Sequence, residues 1–100
     1  MIDFKHFLKT ARVNDTMQIE ISKNILVWLD KYQNTGDKNL DFCLELQFLD
    51  DKGYYTDRVI NKNYYLDKEK ELESIATEYQ KEIDKLGIDN FLEKHKEELL

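Results

Sequence analysis

The sequence contains no proline, a single cysteine and only three glycines. The lone Cys43 excludes an internal disulfide, and the widely spaced glycines exclude a glycine-rich phosphate-binding loop. No stretch approaches the roughly 20 apolar residues that a membrane-spanning helix needs. The opening segment MIDFKHFLKTAR is interrupted by Asp3, Lys5 and His6, unlike the apolar part of a secretory signal. We therefore expect a cytoplasmic protein.

Positive charge is also scarce, since 15 basic residues face 21 acidic ones and the net charge is −6. This balance argues against direct nucleic-acid binding and against an anionic membrane surface, because both require clustered Lys and Arg. Residues 67–100 hold 11 of the acidic residues and 6 of the basic ones. The charge therefore fits a protein partner with a basic surface. The excess of Lys over Arg, the seven Asn, the six Tyr and the missing proline suggest A/T-rich codons, hence a low-GC bacterium or one of its phages.

Helical spacing of apolar residues appears at both ends of the chain. Residues 2–11 predict a short N-terminal helix. From Asp67, proposed as an N-cap, a longer helix is predicted to end at Gly87, and Asp89 could cap a second one. The first of these two C-terminal helices is amphipathic, with an inward face of Leu72, Ile75, Ala76, Tyr79, Ile83 and Leu86.

The middle of the chain alternates between apolar and polar residues, which predicts strands. The clearest strand runs from Leu40 to Phe48, followed by a turn at DDKG and a return strand over residues 54–61. A four-residue loop would place Phe48 opposite Tyr55, Leu44 opposite Val59 and Glu45 opposite Arg58.

An earlier strand covers Met17 to Ile21, and residues 23–33 fit either a strand or a helix. The strand is slightly favoured, because a loop of residues 22–24, with Asn24 left-handed, pairs apolar residues on one face: Ile21 with Ile25, Ile19 with Val27 and Met17 with Leu29. Residues 1–100 are therefore expected to form one α+β domain: an N-terminal helix, an antiparallel meander of three or four strands, and two C-terminal helices packed on the sheet.

No arrangement of residues indicates catalysis, a cofactor or a metal. His6 and His95 lie at opposite ends without metal-ligand spacing, and Cys43 has no neighbouring base to activate it. Asp50 and Asp51 do not reproduce a calcium-binding loop and are typical turn residues. We therefore do not expect an enzyme.

Two features of the sequence go beyond what an ordinary soluble domain requires. Acidic residues of the C-terminal helices recur one turn apart, as in Glu78 and Glu82, at about 5–6 Å, a spacing that can imitate a phosphate backbone. Four of the six tyrosines lie between residues 54 and 65, and an outward tyrosine is well suited to partner contact. The expected partner-binding residues are Tyr54, Asp50, Asp51, Glu71, Glu78, Glu82 and Glu93.

These features predict a small acidic protein-binding module. The most concrete form is a phage or mobile-element inhibitor of a bacterial defence nuclease, such as a CRISPR effector, whose basic nucleic-acid channel it would block. Two alternatives stay open. The chain could be an immunity protein that neutralises a toxin nuclease, or a homo-oligomeric assembly protein whose C-terminal helices pair through Leu72, Ile83 and Leu92.

Overall fold

The alternating and helical segments of the sequence fold into an α+β domain. A computed structural model describes residues 3–100, without the side chains of Lys38 and Asn39; Ile2, expected in the first helix, lies outside this range. The four strands are β1 (Thr16–Ser22), β2 (Ile25–Lys31), β3 (Phe42–Leu49) and β4 (Tyr55–Asn61). The helices are α1 (Phe4–Thr10), α2 (Lys38–Asp41), α3 (Glu69–Leu86) and α4 (Ile88–Lys94), with a 3-10 turn at Asn63–Tyr65.

The strands form one antiparallel sheet in the order β1-β2-β3-β4. The expected fold class is therefore confirmed, and residues 25–31 form a strand. Alternate residues of each strand face a core that α1, α3 and α4 cover from one side. The buried residues of that sheet face are Ile25, Val27, Leu29, Phe42, Leu44, Leu46, Phe48 and Ile60.

The β1–β2 hairpin matches the prediction along its length and differs from it at the turn. Met17 pairs with Leu29 and Ile19 with Val27, as expected, but Ser22 rather than Ile21 pairs with Ile25. The prediction that Asn24 is left-handed is wrong, because Asn24 is not among the described non-glycine residues with positive φ, which are Asn14 and Asp57. Asn24 is instead buried, and its side chain bonds to the end of β3 and to α3.

The predicted β3–β4 register is wrong. Gln47, not Leu44, pairs with Val59, and Glu45 pairs with Asn61 instead of Arg58. Part of the shift arises in the loop, which spans five residues, 50–54, instead of four, and the rest at a bulge in β4, where Asp57 adopts φ 60°. There the Thr56 hydroxyl donates to the Phe48 carbonyl at 2.8 Å and replaces a backbone hydrogen bond of the ladder. The longer loop breaks the predicted pairing of Phe48 with Tyr55, and Tyr55 lies opposite Leu49.

The connection between β2 and β3 also differs from the prediction. Leu40, expected on the core face of the strand, lies in α2 and is 58% exposed. The cause is Asp41, whose buried carboxylate accepts hydrogen bonds from the backbone N–H groups of Thr35 and Gly36. The hydroxyl of Thr35 also donates to it, and these hydrogen bonds hold the pKa of Asp41 below its usual value. The chain is thus bent into a helical turn before the strand begins.

The C-terminal helices form where the sequence indicates, with different starting residues. The expected N-caps are wrong, since Lys68 rather than Asp67 occupies the N-cap of α3 and Gly87 rather than Asp89 that of α4. The 3-10 turn before α3 continues to Lys68, whose backbone N–H donates to the Tyr65 carbonyl. The α-helix therefore begins at Glu69, one residue later than an N-cap at Asp67 would place it. Gly87, at φ 84°, ends α3 as predicted. The predicted inward residues of α3 are all buried or half-buried.

Asn24 joins three elements through one buried amide, which makes it a sensitive test of the fold. Its Nδ2 donates to the Leu49 carbonyl at 2.9 Å, and its Oδ1 accepts from the Gln80 amide at 2.9 Å. We predict that Asn24→Ala lowers the free energy of unfolding by about 1–3 kcal/mol, because buried polar partners lose their hydrogen bonds. Urea denaturation measures the loss, and the exposed Asn34→Ala serves as the matched control. Equal stability of the two variants would contradict this role.

Candidate functional site

The second face of the sheet lies opposite the core and carries the most distinctive surface of the molecule. Helices α1, α3 and α4 do not cover it, since their buried residues belong to the core cluster on the other side of the sheet. We call this surface the open face. Strand alternation and the observed register assign it these residues: Thr16, Gln18, Glu20, Leu26, Trp28, Asp30, Cys43, Glu45, Gln47, Leu49, Tyr55, Val59 and Asn61.

A tyrosine partly covers the apolar centre of the open face. The Tyr55 hydroxyl, on β4, donates to the Gln18 side chain, on β1, at 3.5 Å. The ring therefore extends across the two central strands. Leu26 and Leu49 are only 5% and 6% exposed although neither belongs to the main core. The open face thus has a small apolar centre of its own, and the Tyr55 side chain above it is 54% exposed.

A groove of about 310 Å³ lies beside Tyr55. Trp28 forms part of its wall, and the β4 bulge contributes Asp57 and Arg58. An aromatic wall next to an arginine and a carboxylate is typical of a surface that receives a protein side chain, because it offers apolar contact with polar groups at the rim.

Three carboxylates of the open face have no cationic partner among the described residues. Glu20, Asp30 and Glu45 belong to three different strands and form none of the ion pairs seen in residues 3–100. Glu45 accepts weaker contacts, from the Cys43 thiol at 3.2 Å and from Gln47 at 3.3 Å. The negative charge here is therefore available to a partner.

Cys43 is unsuited to nucleophilic chemistry. Partial burial and the neighbouring carboxylates of Glu45 and Asp30 raise the pKa of the thiol to about 12. Because the reactive species is the thiolate, the thiol is inert near neutral pH. Nor do the described residues contain a cluster of His, Cys, Asp or Glu that could hold a metal ion.

The β3–β4 loop holds three of the expected partner-binding residues. Tyr54 is 68% exposed and precedes Tyr55. The Asp50 carboxylate accepts the backbone N–H groups of Lys52, at 2.8 Å, and Tyr54, at 3.0 Å, so it shapes the loop. Asp51 accepts from Asn24 and pairs with Lys23 at 3.4 Å, and these two contacts lower the pKa of Asp51. Tyr54 and Asp51 are therefore exposed on this loop, and Asp50 is half-buried.

The expected acidic residues of the helices lie among lysines. Glu78 pairs with Lys81 at 3.5 Å and Glu93 with Lys96 at 3.2 Å. Glu71, at the start of α3, is exposed and has no ion pair within residues 3–100. A groove between α3 and α4 is lined by three lysines and two glutamates: Lys81, Lys85, Lys94, Glu78 and Glu82. The helix surface is therefore mixed in charge, and the structure does not gather these acids into one continuous acidic surface.

Glu82 belongs to an internal network around His95. The two ring nitrogens of His95 lie 2.9 Å from Glu82 and 2.7 Å from Glu98, and Glu82 also pairs with Lys94 at 2.6 Å. Partial burial disfavours the charged imidazolium, but the bonds to Glu98 and Glu82 outweigh it and raise the pKa of His95. Hydrogen bonds from Lys94 and His95 lower the pKa of Glu82, and the one from His95 lowers that of Glu98. Glu82 thus ties α3 to the C-terminal segment.

Sequence reasoning did not select the open-face residues Trp28, Tyr55, Glu20, Asp30 and Glu45. A signal was present, because a strand over residues 25–31 puts Trp28 and Asp30 on the face opposite Val27 and Leu29. A tryptophan on the polar side of a strand indicates a surface that needs a cover.

Comparison with family models, curated proteins and solved structures finds no match to this chain. Among the helices of residues 3–100, none combines the length and apolar character that a membrane span requires.

The thiol of Cys43 gives a direct test of the open-face electrostatics. We predict that iodoacetamide at pH 8 alkylates the folded protein at least about a hundredfold more slowly than the urea-unfolded chain, whose thiol has an ordinary pKa. Glu45→Gln should accelerate the folded-state reaction, because it removes one of the charges that oppose thiolate formation. Mass spectrometry follows both rates. A folded rate that matches the unfolded one would refute the assigned environment.

The His95 network predicts a pH dependence of stability. The raised pKa of His95 stabilises the fold fully below the unfolded value of about 6.5, and this contribution is lost as the pH rises through the folded pKa. The lowered pKa values of Glu82 and Glu98 act oppositely, and their contribution is lost as the pH falls through their folded values. Relative to His95→Gln, the wild-type free energy of unfolding should therefore decrease between pH 6 and 9 in urea titrations. Parallel curves for the two proteins would contradict the network.

Proposed function

We propose that this chain is a small protein-binding module that inhibits another macromolecule by covering a basic surface with its open face. The observation that supports this most is the combination, on one uncovered sheet face, of Trp28 and Tyr55 with the unpaired carboxylates of Glu20, Asp30 and Glu45. Aromatic side chains supply contact area at low entropic cost, and carboxylates without cations supply attraction to a basic partner.

The proposed target is a nuclease of bacterial defence, inhibited in the cytoplasm by a protein that a phage or mobile element encodes. Such an enzyme must hold nucleic acid in a channel of positive charge, so a compact acidic domain can compete for that channel. The net charge of −6 and the excess of acidic over basic residues agree with this partner.

The open face supports partner contact better than the helix surface does. Of the four expected helix acids, Glu78, Glu82 and Glu93 are already paired with lysines, which leaves Glu71 as the one of the four without an ion pair within residues 3–100. Pairing of two copies through the C-terminal helices is disfavoured, because Leu72, Ile83 and Leu92 are buried in the core of their own chain.

Two matched double variants distinguish the two surfaces. Glu20→Lys with Glu45→Lys reverses charge on the open face, and Glu78→Lys with Glu93→Lys reverses the same number of charges on the helices. The immobilised wild type is first used to retain proteins from a low-GC bacterial lysate, which are then eluted with duplex DNA. We predict that the eluted partner binds the open-face variant at least about a hundredfold more weakly, because attractions become repulsions, and that the helix variant stays within about threefold.

Thermal unfolding of both variants, followed by circular dichroism, serves as the folding control. The retained protein should cleave nucleic acid, and the wild type should inhibit that cleavage less as salt rises. Retention of proteins that DNA does not elute, or equal loss of binding in both variants, would refute an open-face inhibitor of a nucleic-acid channel.

A further inference from the structure

The two edge strands of the sheet, β1 and β4, differ in how open they are to pairing with another strand. On β4, the bulge at Asp57 interrupts the edge, and the backbone N–H of Leu100 donates to the outward carbonyl of Val59 at 2.9 Å. Both devices prevent another strand from pairing there. The β1 edge has neither a bulge between Thr16 and Glu20 nor a covering segment among the described residues.

The backbone groups that β1 offers can be identified from the register. The N–H of Lys31 donates to the Asp15 carbonyl at 3.0 Å, so residues 15 and 31 form a hydrogen-bonded pair. Because such pairs alternate along an antiparallel ladder, Thr16, Gln18 and Glu20 direct their N–H and C=O groups away from β2. None of these outward groups bonds another residue within 3–100. The edge is thus a regular template for one more strand.

We propose that β1 binds an extended segment of the partner as a fifth strand, in which basic residues alternate with apolar ones. This inference rests on the proposed function and specifies how the partner is held. It names a mode of recognition in which backbone hydrogen bonds supply affinity and alternate side chains supply specificity.

The two faces of β1 determine the side chains of the added strand. On the helix side, Met17, Ile19 and Ile21 are half-buried against the core, so they extend an apolar surface beyond the edge. On the open face, Glu20 at the edge and Asp30 on the neighbouring strand have no cationic partner in the described part of the chain. An incoming strand therefore gains most when its apolar residues lie beside the isoleucines and its Lys or Arg residues lie beside Glu20.

Charge also argues against a second copy of this chain as the strand that pairs with β1. Antiparallel pairing of β1 with itself would place two open faces side by side in one continuous sheet. That arrangement brings together the unpaired carboxylates of both chains, each with a net charge of −6. A basic segment is attracted to the same surface.

The probe is a short synthetic peptide that alternates lysine and valine, with a glutamate–valine peptide as the charge control. We expect the lysine peptide to bind, and to slow hydrogen exchange at the amides of Thr16, Gln18 and Glu20. Binding of the glutamate peptide with equal affinity, or protection that is absent from these three amides, would overturn the proposal.

Gln18→Pro tests the edge itself, because it removes an outward N–H that bonds no other residue within 3–100, and proline is tolerated at such positions of edge strands. Gln18→Thr is the matched control: both variants lose the side-chain contact with Tyr55, and the proline variant also loses the N–H. We expect the proline variant to bind the lysine peptide at least about tenfold more weakly than the threonine variant does. Equal affinity of both variants would overturn strand addition, and circular dichroism reports whether the proline variant is folded. If the proline variant is not folded, protection of the Thr16, Gln18 and Glu20 amides in the wild type decides whether a fifth strand forms.

The same variants separate this inference from the proposed function. A DNA-eluted partner that Trp28→Ala weakens and Gln18→Pro does not would leave the open-face inhibitor standing and overturn the fifth strand. A partner that neither variant weakens would overturn both. A wild-type dimer in light scattering that Gln18→Pro dissociates would assign the edge to a second copy and overturn the basic occupant.

Discussion

The structure depends on packing its helices against one face of an antiparallel sheet. The β-strands alternate apolar and polar residues, so one face must be covered and the other need not be. Helices α1, α3 and α4 supply that cover, with Leu72, Ala76 and Phe91 fully buried against the strands. Asn24 and Gln80 fix α3 over the end of the sheet through buried hydrogen bonds. Because the cover is one-sided, Trp28 and Tyr55 remain at the surface.

The difference between the helix side and the open side of the sheet also affects which acidic side chains find a cationic partner. Acidic side chains of the helices lie among lysines of the same segments, so they form local pairs such as Glu78 with Lys81. Strand residues have no neighbours one helical turn away, and the open face provides few cations, so Glu20, Asp30 and Glu45 stay unpaired. The helices also keep exposed acids without an ion pair within residues 3–100, such as Glu71, so what distinguishes the open face is that its acids lie beside Trp28 and Tyr55.

The regular parts of the fold could be predicted from the sequence, because their signals are local. Alternation at Leu44, Leu46 and Phe48 and the helical period of α3 identify elements whose buried faces are correct. The bulge at Asp57 depends on a contact between Thr56 and Phe48, which no local pattern encodes. Likewise, the turn at Leu40 depends on the carboxylate of Asp41 meeting Thr35 and Gly36. Which acids form ion pairs also depends on tertiary contacts, such as that of Glu82 with Lys94, whereas the strand pattern already places Trp28 on the face opposite the core.

The most direct test of the open face uses the single tryptophan of the chain, Trp28, as its reporter. Titration of the protein with its DNA-eluted partner is followed by Trp28 emission in a Trp-free partner variant, with calorimetry as the independent measure of binding. We predict a blue shift and reduced quenching by acrylamide, both reversed by salt, because the partner covers the indole and is held by charge. Calorimetric binding that leaves the emission and quenching of Trp28 unchanged would contradict it.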